Sequence, residues 1–470
     1  MRVVIVGYGM AGARLAAELR GRCADVKILA FGAEAHRAYN RILLSGLLAG
    51  KVREEDLALA EPSTGVDVRL GTPVTSVDTA RRVVSTMDDE HEYDALVLAT
   101  GSRAVLPPVA GLTGPGVSVF RTLDDCRRIV AAARSARTAV VLGGGLLGLE
   151  AARGLAGRGL DVTVVHAAGH LMERQLDRDA GAVLARTLAG LGVRVLVDAQ
   201  AVERTDRGLR LADGTELGAD LLVVACGVRP ETTLAERAGL LVNRGIVVDD
   251  ALHTSAGSVY AIGDCAEHRG TAYGLVAPAW EQAAALADRL TGGTARYHGS
   301  RPVTRLKAGG IDLAAMGSPD GDLNGDAAAE VVHFADPARG TYARLVIRDD
   351  RLAGAVMLGD NPTVGTVVQL FDRGGPVPAD RRALLLGRAI GGTTAPAASP
   401  ALMPDNARLC RCNDVSKAAV TACWRAGARS VADVAAVTRA TTGCGGCHDA
   451  VAGILDWLST VDPTELGVAS

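Results

Sequence analysis

The stretch Ala139-Val-Val-Leu-Gly-Gly-Gly-Leu-Leu-Gly-Leu-Glu150 predicts the fold of this chain. It has the pattern of a buried strand, a glycine turn and the first turns of a helix. Gly143, Gly145 and Gly148 have the G-x-G-x-x-G spacing. In that motif the first glycine permits the tight turn, the second lets a pyrophosphate approach the backbone, and the third lets the helix pack on the strand. The stretch therefore predicts a dinucleotide-binding unit, with the helix N-terminus facing the phosphates.

A second copy of this pattern lies at the start of the chain. Gly7, Gly9 and Gly12 follow the apolar stretch 2–6, and Val26–Phe31 has the pattern of the next strand. Together with the small-residue helix between them, these strands make a βαβ unit of the expected length of roughly 30 residues. Two copies of the motif in one chain predict two bound nucleotides.

Two charged residues near the first unit are candidate ligands. Glu34 stands about 20 residues after the glycines, where a carboxylate accepts the hydroxyls of an adenosine ribose. A solvated loop glutamate is the alternative. Arg41 could pair with a diphosphate, because its forked guanidinium suits phosphate oxygens, or it could be an ordinary surface arginine.

Composition excludes several classes of function. The chain has 470 residues, too many for one ordinary core, so several domains are expected. A net charge of −3 gives no electrostatic footprint for nucleic acid or an anionic membrane. No apolar run reaches the roughly 18 residues of a membrane span. The odd number of cysteines, nine, argues against a secreted disulfide framework. The stretch 1–7 reads as a strand and not as a signal peptide, so we expect a cytoplasmic location.

The order of the strands predicts an α/β fold with two Rossmann-like nucleotide-binding domains, one inserted in the other. Tyr260-Ala-Ile-Gly-Asp264 is interpreted as a strand that returns the chain to the first domain. The arginines between Val119 and Ser135 are interpreted as the solvated face of a helix. The predicted parts are a first nucleotide-binding domain (1–115 and 245–300), a second one (116–244), a small α/β domain (301–388), a Gly/Ala/Pro/Ser linker (389–407) and a small helical domain (408–470).

Four cysteines form two pairs near the end of the chain, Cys410-Arg-Cys412 and Cys444-Gly-Gly-Cys447. Brought together, they offer four soft sulfur ligands, which select an iron–sulfur cluster or zinc. A Cys-x-Cys first pair is less usual for zinc than a longer spacing. The spacing therefore favours a [2Fe–2S] cluster, with zinc as the alternative. The other cysteines are predicted to be structural thiols: Cys23, Cys126, Cys226, Cys265 and Cys423.

Several stretches occur in order along the chain: Gly7-x-Gly9-x-x-Gly12, Ala38-Tyr-Asn-Arg-Ile-Leu-Leu-Ser45, Ala99-Thr-Gly-Ser102, the opening glycine motif, Leu171-Met-Glu-Arg-Gln-Leu-Asp177, Tyr260-Ala-Ile-Gly-Asp-Cys265, Gly274-Leu-Val-Ala-Pro278, Leu409-Cys-Arg-Cys-Asn-Asp-Val-Ser-Lys417 and Thr442-Gly-Cys-Gly-Gly-Cys447. Taken together, they resemble the motifs of the FAD-dependent pyridine-nucleotide oxidoreductases. More narrowly, they resemble the N-terminal half of the assimilatory nitrite reductase large subunit and the electron-transfer subunit of assimilatory nitrate reductase. The last two stretches resemble the [2Fe–2S] domain of bacterioferritin-associated ferredoxin.

The resemblance implies three cofactors and a residue set for each. No side chain is assigned as catalytic, because FAD would carry the chemistry. Glu150 is placed near the nicotinamide. The implied sets are Gly7, Gly9, Gly12, Glu34, Arg41, Thr100, Gly101 and Asp264 for FAD; Gly143, Gly145, Gly148, Glu150 and His166 for NAD(P)H; and Cys410, Cys412, Cys444 and Cys447 for a [2Fe–2S] cluster.

The chain departs from the family pattern in two places. Many NADH-specific members have an acidic residue where this chain has His166, and a neutral imidazole neither demands the ribose hydroxyls nor repels a 2′-phosphate. NADH is favoured from the family alone. Nothing after Cys447 resembles the sirohaem and [4Fe–4S] module of a nitrite reductase, so this chain is expected not to reduce nitrite by itself.

These resemblances imply an electron-transfer component that serves the molybdenum-containing catalytic subunit of assimilatory nitrate reductase. One alternative is an electron donor to a nitrite reductase module, and another is a stand-alone NAD(P)H:ferredoxin- or rubredoxin-type reductase. A non-catalytic redox sensor is a further alternative that no DNA-reading motif supports. The linker predicts that the cluster domain can swing between flavin and partner. The small α/β domain is expected to have a supporting or interface role, and the sequence predicts no oligomeric state.

Overall fold

The structure is a computed structural model. It describes residues 1–59, 64–114, 116–306, 308–317, 329–386, 400–410, 413, 415–442 and 446–461. Its contacts divide the chain into two compact units. The first unit is Met1–Ala167 with Leu196–Pro302, and the second is Ala168–Val195 with Val303–Ser470. Because both predicted nucleotide-binding domains contribute to the first unit, the sequence-based domain limits stay a prediction.

Helices form where small and apolar residues recur at helical spacing. In the described ranges they are α1 (Met10–Arg22), α2 (Leu44–Leu48), α3 (Leu123–Ala132), α4 (Leu146–Ala156), α5 (Arg178–Gly190), α6 (Thr233–Arg237), α7 (Val276–Leu290), α8 (Val364–Arg373), α9 (Ala383–Leu386), α10 (Lys417–Arg425), α11 (Val431–Thr438) and α12 (His448–Val461). None of them combines the length and the apolar character that a membrane crossing requires.

Strands of two to eight residues connect these helices. They are β1 (Arg2–Val6), β2 (Lys27–Phe31), β3 (Val66–Arg69), β4 (Ser76–Asp78), β5 (Val83–Ser85), β6 (Glu90–Glu92), β7 (Ala95–Leu98), β8 (Ser102–Ala104), β9 (Val117–Val119), β10 (Thr138–Leu142), β11 (Asp161–Val165), β12 (Val193–Leu196), β13 (Ala201–Thr205), β14 (Gly208–Leu211), β15 (Glu216–Gly218), β16 (Leu221–Val224), β17 (Val228–Pro230), β18 (Ile246–Val248), β19 (Val259–Ala261), β20 (Ala266–His268), β21 (Val303–Leu306), β22 (Leu313–Gly317), β23 (Glu330–Asp336), β24 (Thr341–Arg348), β25 (Arg351–Leu358), β26 (Arg408–Cys410) and β27 (Val415–Ser416).

The first unit contains two parallel sheets. One has the order β19-β7-β1-β2-β3, and the other contains β11, β10, β16 and β9 as successive neighbours. Strands such as β7 and β16 are apolar and buried along their whole length, as expected for parallel sheets covered on both faces. The chain leaves the first sheet after β7, builds the second and returns at β19, which confirms the predicted insertion. Between β12 and β16 the chain forms a three-stranded antiparallel sheet in the order β13-β14-β15.

The second unit contains an antiparallel sheet in the order β21-β22-β25-β24-β23. Strands β22, β24 and β25 carry most of the buried residues of this sheet, whereas the edge strand β23 is mostly exposed. The C-terminal part of the chain, predicted to be helical, contains α10, α11 and α12 in its described residues.

A buried carboxylate ties α5 to this sheet. Asp177 is 5% exposed and caps α5 by accepting a hydrogen bond from the backbone N–H of Ala180 at 2.9 Å. Its other carboxylate oxygen accepts the Tyr342 hydroxyl at 2.8 Å and lies 3.4 Å from the Arg344 guanidinium. Burial, and then the charge of Asp177, raises the pKa of Tyr342, so that phenol stays a proton donor. One side chain therefore serves both the helix end and the helix–sheet contact.

We expect Tyr342→Phe to weaken the anchoring of α5. A hydrogen bond to a charged group contributes about 1.5–3 kcal/mol, so amide exchange in 178–190 should accelerate about tenfold or more. Hydrogen–deuterium exchange followed by mass spectrometry measures this directly. Tyr260→Phe is the control, because the Tyr260 hydroxyl makes no hydrogen bond within the described residues, and the ring packs on His253 instead. Equal exchange in the two variants would contradict the assigned role of the Tyr342 hydroxyl.

Candidate functional site

Two glycine turns with the same geometry lie at the carboxyl ends of β1 and β10. Gly7 and Gly143 have left-handed φ angles of +106° and +116°, which L side chains rarely adopt. A Cβ on Gly7 would overlap the carbonyl oxygen of Ala99, and a Cβ on Gly143 would overlap that of Ala225. Each turn thus passes against a neighbouring strand of its own sheet.

The third glycine of each motif brings helix and strand together. A Cβ on Gly12 would overlap the Gly7 carbonyl oxygen, and a Cβ on Gly148 would overlap the Gly143 carbonyl oxygen. The middle glycines differ, because a Cβ on Gly9 or Gly145 would have nothing within 4 Å. The space beside each middle glycine is therefore open, as an approaching pyrophosphate requires.

The middle glycines are also the N-caps of α1 and α4, and neither end has a side-chain capping hydrogen bond. The first N–H groups of a helix have no partner within the helix and attract anions. Open space and uncapped helix ends occur together in both turns. The residues present therefore fit the diphosphates of two dinucleotides.

The remaining predicted FAD residues converge on the first turn. Gly263, beside Asp264, packs so closely on α1 that a Cβ there would lie 2.9 Å from the Cβ of Ala11. Thr100 donates its hydroxyl to the Glu231 carbonyl at 2.6 Å, and Gly101 has a left-handed φ of +74°. The ends of β1, β7 and β19 therefore meet at one edge of the first sheet.

Glu34 and Arg41 form an ion pair with each other. Glu34 also accepts the Tyr39 hydroxyl at 2.8 Å, and the Arg41 guanidinium lies over the Tyr39 ring, 4.9 Å from its centroid. Burial raises the pKa of Tyr39, so its hydroxyl stays a donor. The pairing holds both predicted ligand groups in place, and Tyr39 is a member of the set that the sequence did not single out.

Asp264 lies in a second ion pair that sequence reasoning missed. The Arg121 guanidinium is 2.7 Å from the Asp264 carboxylate and 2.6 Å from the Ser102 hydroxyl, which itself donates to Asp264 at 2.8 Å. Arg121 stands before α3 and not on its solvated face, so the surface interpretation is wrong for this residue. The position of Arg121 just after β9 could have indicated a role in the site, because ligands bind beyond the carboxyl ends of parallel strands.

His166 borders the second glycine turn. It is 8% exposed, and its Nδ1 accepts a hydrogen bond from the backbone N–H of Gly144 at 3.1 Å. Because a backbone N–H can only donate, Nδ1 carries no proton in this arrangement. Glu150, on α4, is 4% exposed. His166 is thus a buried neighbour of the turn and not a loop residue facing solvent.

Half of the predicted cluster ligands can be described. Cys410 and Cys447 are 2% and 6% exposed, whereas Cys412 and Cys444 lie outside the described residues. The Thr441 N–H donates to the Cys447 sulfur at 3.2 Å. Asn413 Nδ2 lies 3.9 Å from the Cys410 sulfur.

The two cysteine segments are tied together by the same residues. Asn413 donates to the Arg439 carbonyl at 2.5 Å, which links the first pair to the segment before the second. Arg439 and Thr441 both have left-handed φ angles, +62° and +69°. Such conformations are costly for non-glycine residues and concentrate at ligand sites. N–H donors aimed at buried sulfur fit thiolates of an iron–sulfur cluster.

The thiols of Cys126, Cys226, Cys265 and Cys423, which belong to neither cysteine pair, are poorly suited to redox chemistry. Burial raises the pKa of Cys126 to about 12 and that of Cys226 to about 11, and it also raises the pKa of Cys265 and Cys423. A raised pKa lowers the thiolate fraction and hence reactivity. Cys23, Cys126, Cys226, Cys265 and Cys423 form no disulfide bond within the described part of the chain.

We expect serine to be accepted at Gly145 and rejected at Gly148. The Cβ of Gly148→Ser would overlap backbone that cannot move aside, which costs about 1–3 kcal/mol. Gly145→Ser enters open space and places a preferred residue at a helix N-cap, so unfolding should change by less than about 0.5 kcal/mol. Urea unfolding of the nucleotide-free protein compares the two. Equal destabilisation would mean that the space beside Gly145 is not open.

Three family models match this chain. Pyridine nucleotide-disulphide oxidoreductase matches residues 1–283, Rubredoxin NAD+ reductase C-terminal domain matches 302–372, and BFD-like [2Fe-2S] binding domain matches 409–457. The first and last cover the glycine turns and the two cysteine pairs, respectively.

Curated relatives match nearly the whole chain. A "Nitrite reductase [NAD(P)H]" from Bacillus subtilis (strain 168) is 40% identical over 97% of this chain and 57% of its own length. An "Assimilatory nitrate reductase electron transfer subunit" from the same organism is 35% identical over 99% of this chain and 60% of its own length. This chain therefore spans somewhat over half the length of these relatives.

Among solved structures, a ferredoxin reductase for the CYP199A2 system from Rhodopseudomonas palustris is similar, with a TM-score of 0.70 and 29% identity. The similarity covers 76% of this chain and 91% of that one. Together these matches establish the cofactors as FAD, NAD(P)H and a [2Fe–2S] cluster. The chain belongs to the pyridine nucleotide-disulphide oxidoreductase family and carries a BFD-like [2Fe–2S] binding domain.

Proposed function

We propose that this protein takes electrons from NADH and delivers them, through FAD and the [2Fe–2S] cluster, to the catalytic subunit of an assimilatory nitrate reductase. The observation that carries the proposal is the pair of open, uncapped glycine turns in a chain that also holds buried, N–H-bonded cysteines. The name of the 35% identical Bacillus subtilis relative supports this acceptor. When bound, FAD takes two electrons from NAD(P)H, and the cluster takes them one at a time.

Different residues would bind FAD, NADH and the cluster. The N–H groups at the start of α1 would hold the FAD diphosphate, and those at the start of α4 would hold that of NADH. The pairs Glu34–Arg41 and Arg121–Asp264 would orient the two ends of FAD, because each fixes a charged side chain beside the first turn. Thr100 and Gly101 would approach the flavin, and Glu150 would lie along the nicotinamide. Cys410, Cys412, Cys444 and Cys447 would ligate the cluster.

Two other acceptors have specific support. The 40% identical relative is named a nitrite reductase, which supports a role as the electron-donor component of a nitrite reductase. The match of residues 302–372 to the rubredoxin reductase C-terminal domain supports a stand-alone ferredoxin- or rubredoxin-type reductase. Acceptor specificity separates the three. Swinging of the cluster domain on the predicted linker, 389–407, stays a prediction, because residues 389–399 of that linker lie outside the described part of the chain.

An anaerobic titration of the purified protein with NADH tests the electron path. Flavin absorbance should bleach, and a [2Fe–2S] signal should then appear in the EPR spectrum. Cys447→Ser is the matched variant, because it removes one proposed ligand far along the chain from both glycine turns and should keep bleaching while losing the signal. If the flavin absorbance of the unaltered protein bleaches, no cluster signal appears and the protein contains bound zinc, the proposal is wrong. Added nitrate reductase catalytic subunit should reoxidise the cluster, and a ferredoxin or nitrite reductase should do so more slowly.

The choice of nucleotide should depend on residue 166. An aspartate there could accept the ribose hydroxyls of NADH and would repel the 2′-phosphate of NADPH. His166→Asp should raise the NADH-to-NADPH ratio of kcat/KM about tenfold or more, since a hydrogen bond to a charged group contributes about 1.5–3 kcal/mol. His166→Asn is the control, because it keeps an acceptor for the Gly144 N–H without the charge. If both variants change the ratio equally, residue 166 does not reach the ribose.

A further inference from the structure

An arginine of the 302–372 domain lies against Gly446, in the segment of the second cysteine pair. Arg305 belongs to β21, and Gly446 immediately precedes Cys447. A Cβ built on Gly446 would lie 2.5 Å from Nε, 2.7 Å from Cζ and 2.8 Å from Cδ of Arg305. These are the three nearest atoms to that position. The guanidinium therefore occupies the space that any other residue at 446 would need.

This cation is largely buried and weakly neutralised. The Arg305 side chain is 15% exposed, and its one ion pair among the described residues is with Asp312 at 3.9 Å. The Asp312 side chain is itself 66% exposed, so water screens it. A guanidinium keeps its charge at every ordinary pH, and burying a charge without a close partner is unfavourable. Such a group needs an anion nearby.

The cysteine pair beside Gly446 supplies that anion once the cluster is present. A [2Fe–2S] centre held by four thiolates is negatively charged, and adding one electron makes it more negative. A neighbouring cation favours both states, and it favours the reduced state more. Net charge and the groups around the sulfurs set the potentials of such centres.

We propose that Arg305 sets the reduction potential of the cluster by holding its guanidinium against the ligand loop. The inference rests on the proposed function, in which Cys444 and Cys447 ligate the cluster. It gives the 302–372 domain a role in tuning electron transfer, since this domain supplies the cation and the C-terminal domain supplies the loop. The step affected adds one electron, from a mediator or from reduced flavin, and moves no proton.

The test is an EPR-monitored redox titration of the purified full chain carrying its cofactors, with dithionite as the reductant. Arg305→Met removes the charge and keeps the length of the side chain. It should shift the reduced-to-oxidised ratio at a given potential about tenfold toward the oxidised cluster, which is a fall of about 59 mV in midpoint potential. Arg305→Lys keeps a cation and should fall by less.

The matched control is Arg382→Met. Arg382 lies in the same unit, its side chain is 72% exposed, and it pairs with Asp380. Arg382→Met makes the same change in net charge at an exposed side chain that water screens and Asp380 neutralises, so the midpoint should stay at its original value. If Arg305→Met and Arg382→Met have equal potentials, the proposal is overturned.

A second pair of variants tests the contact itself. Gly446→Ala places a methyl group where the guanidinium lies, so it should displace that cation and lower the midpoint in the same direction as Arg305→Met. In an Arg305→Ala background the same Gly446→Ala change should have little further effect, because the two residues share one contact. Additive shifts in the double variant would contradict the contact and with it the proposal.

The outcome also separates this inference from the function on which it rests. Absence of iron and of a cluster signal in the unaltered protein would remove both together. If NADH reduces the cluster but Arg305→Met leaves its midpoint potential unchanged, this inference is wrong and the proposed electron path still stands.

Discussion

The structure depends on the absence of a Cβ atom at four glycines. Gly7 and Gly143 pass against the carbonyl oxygens of neighbouring strands, and Gly12 and Gly148 pass against the carbonyl oxygens of those same turns. A methyl group at any of the four would overlap backbone, which cannot rotate away as a side chain can. Because these approaches hold, α1 and α4 begin at the carboxyl edges of their sheets with their first N–H groups uncovered. The same steric condition, the absence of a Cβ at the first and third glycines, therefore leaves two helix N-termini open for the proposed dinucleotide phosphates.

The sequence predicted the parts of the fold that depend on neighbours along the chain. Glycine spacing, continuous apolar strands and the helical stretches near residues 417–461 are local patterns, and all of them are confirmed. The inserted order of the two parallel sheets followed from the order of these patterns. Strands β21, β22 and β23 were not predicted, because β21 and β23 mix polar with apolar residues and β22 contains Ala and Gly, which are depleted in strands.

The site was predictable to the same extent. Residue types at motif positions indicated Glu34, Arg41 and Asp264, but nothing in the sequence indicates that Arg121 would pair with Asp264 from 143 positions away. Distant ion pairs are properties of the folded chain, and charge alone did not distinguish Arg121 from the solvated arginines that follow it. The spacing of the cysteines predicted the two pairs. The hydrogen bond from the Thr441 N–H to the Cys447 sulfur depends on a left-handed backbone at Thr441, and a threonine does not predict that conformation.

The placement of α5 has a consequence for synthesis of the protein. In the sequence, the segment 168–195 lies between strands of the second parallel sheet. In the folded chain it belongs to the second unit, where α5 packs on β24 and β25. Its apolar residues, among them Val183, Leu184 and Leu188, are buried in the finished chain. At roughly 5–20 residues per second, a ribosome takes several seconds or more to travel from α5 to β25. During that interval the nascent chain carries an uncovered apolar helix, so this segment is where a cellular chaperone would have reason to bind.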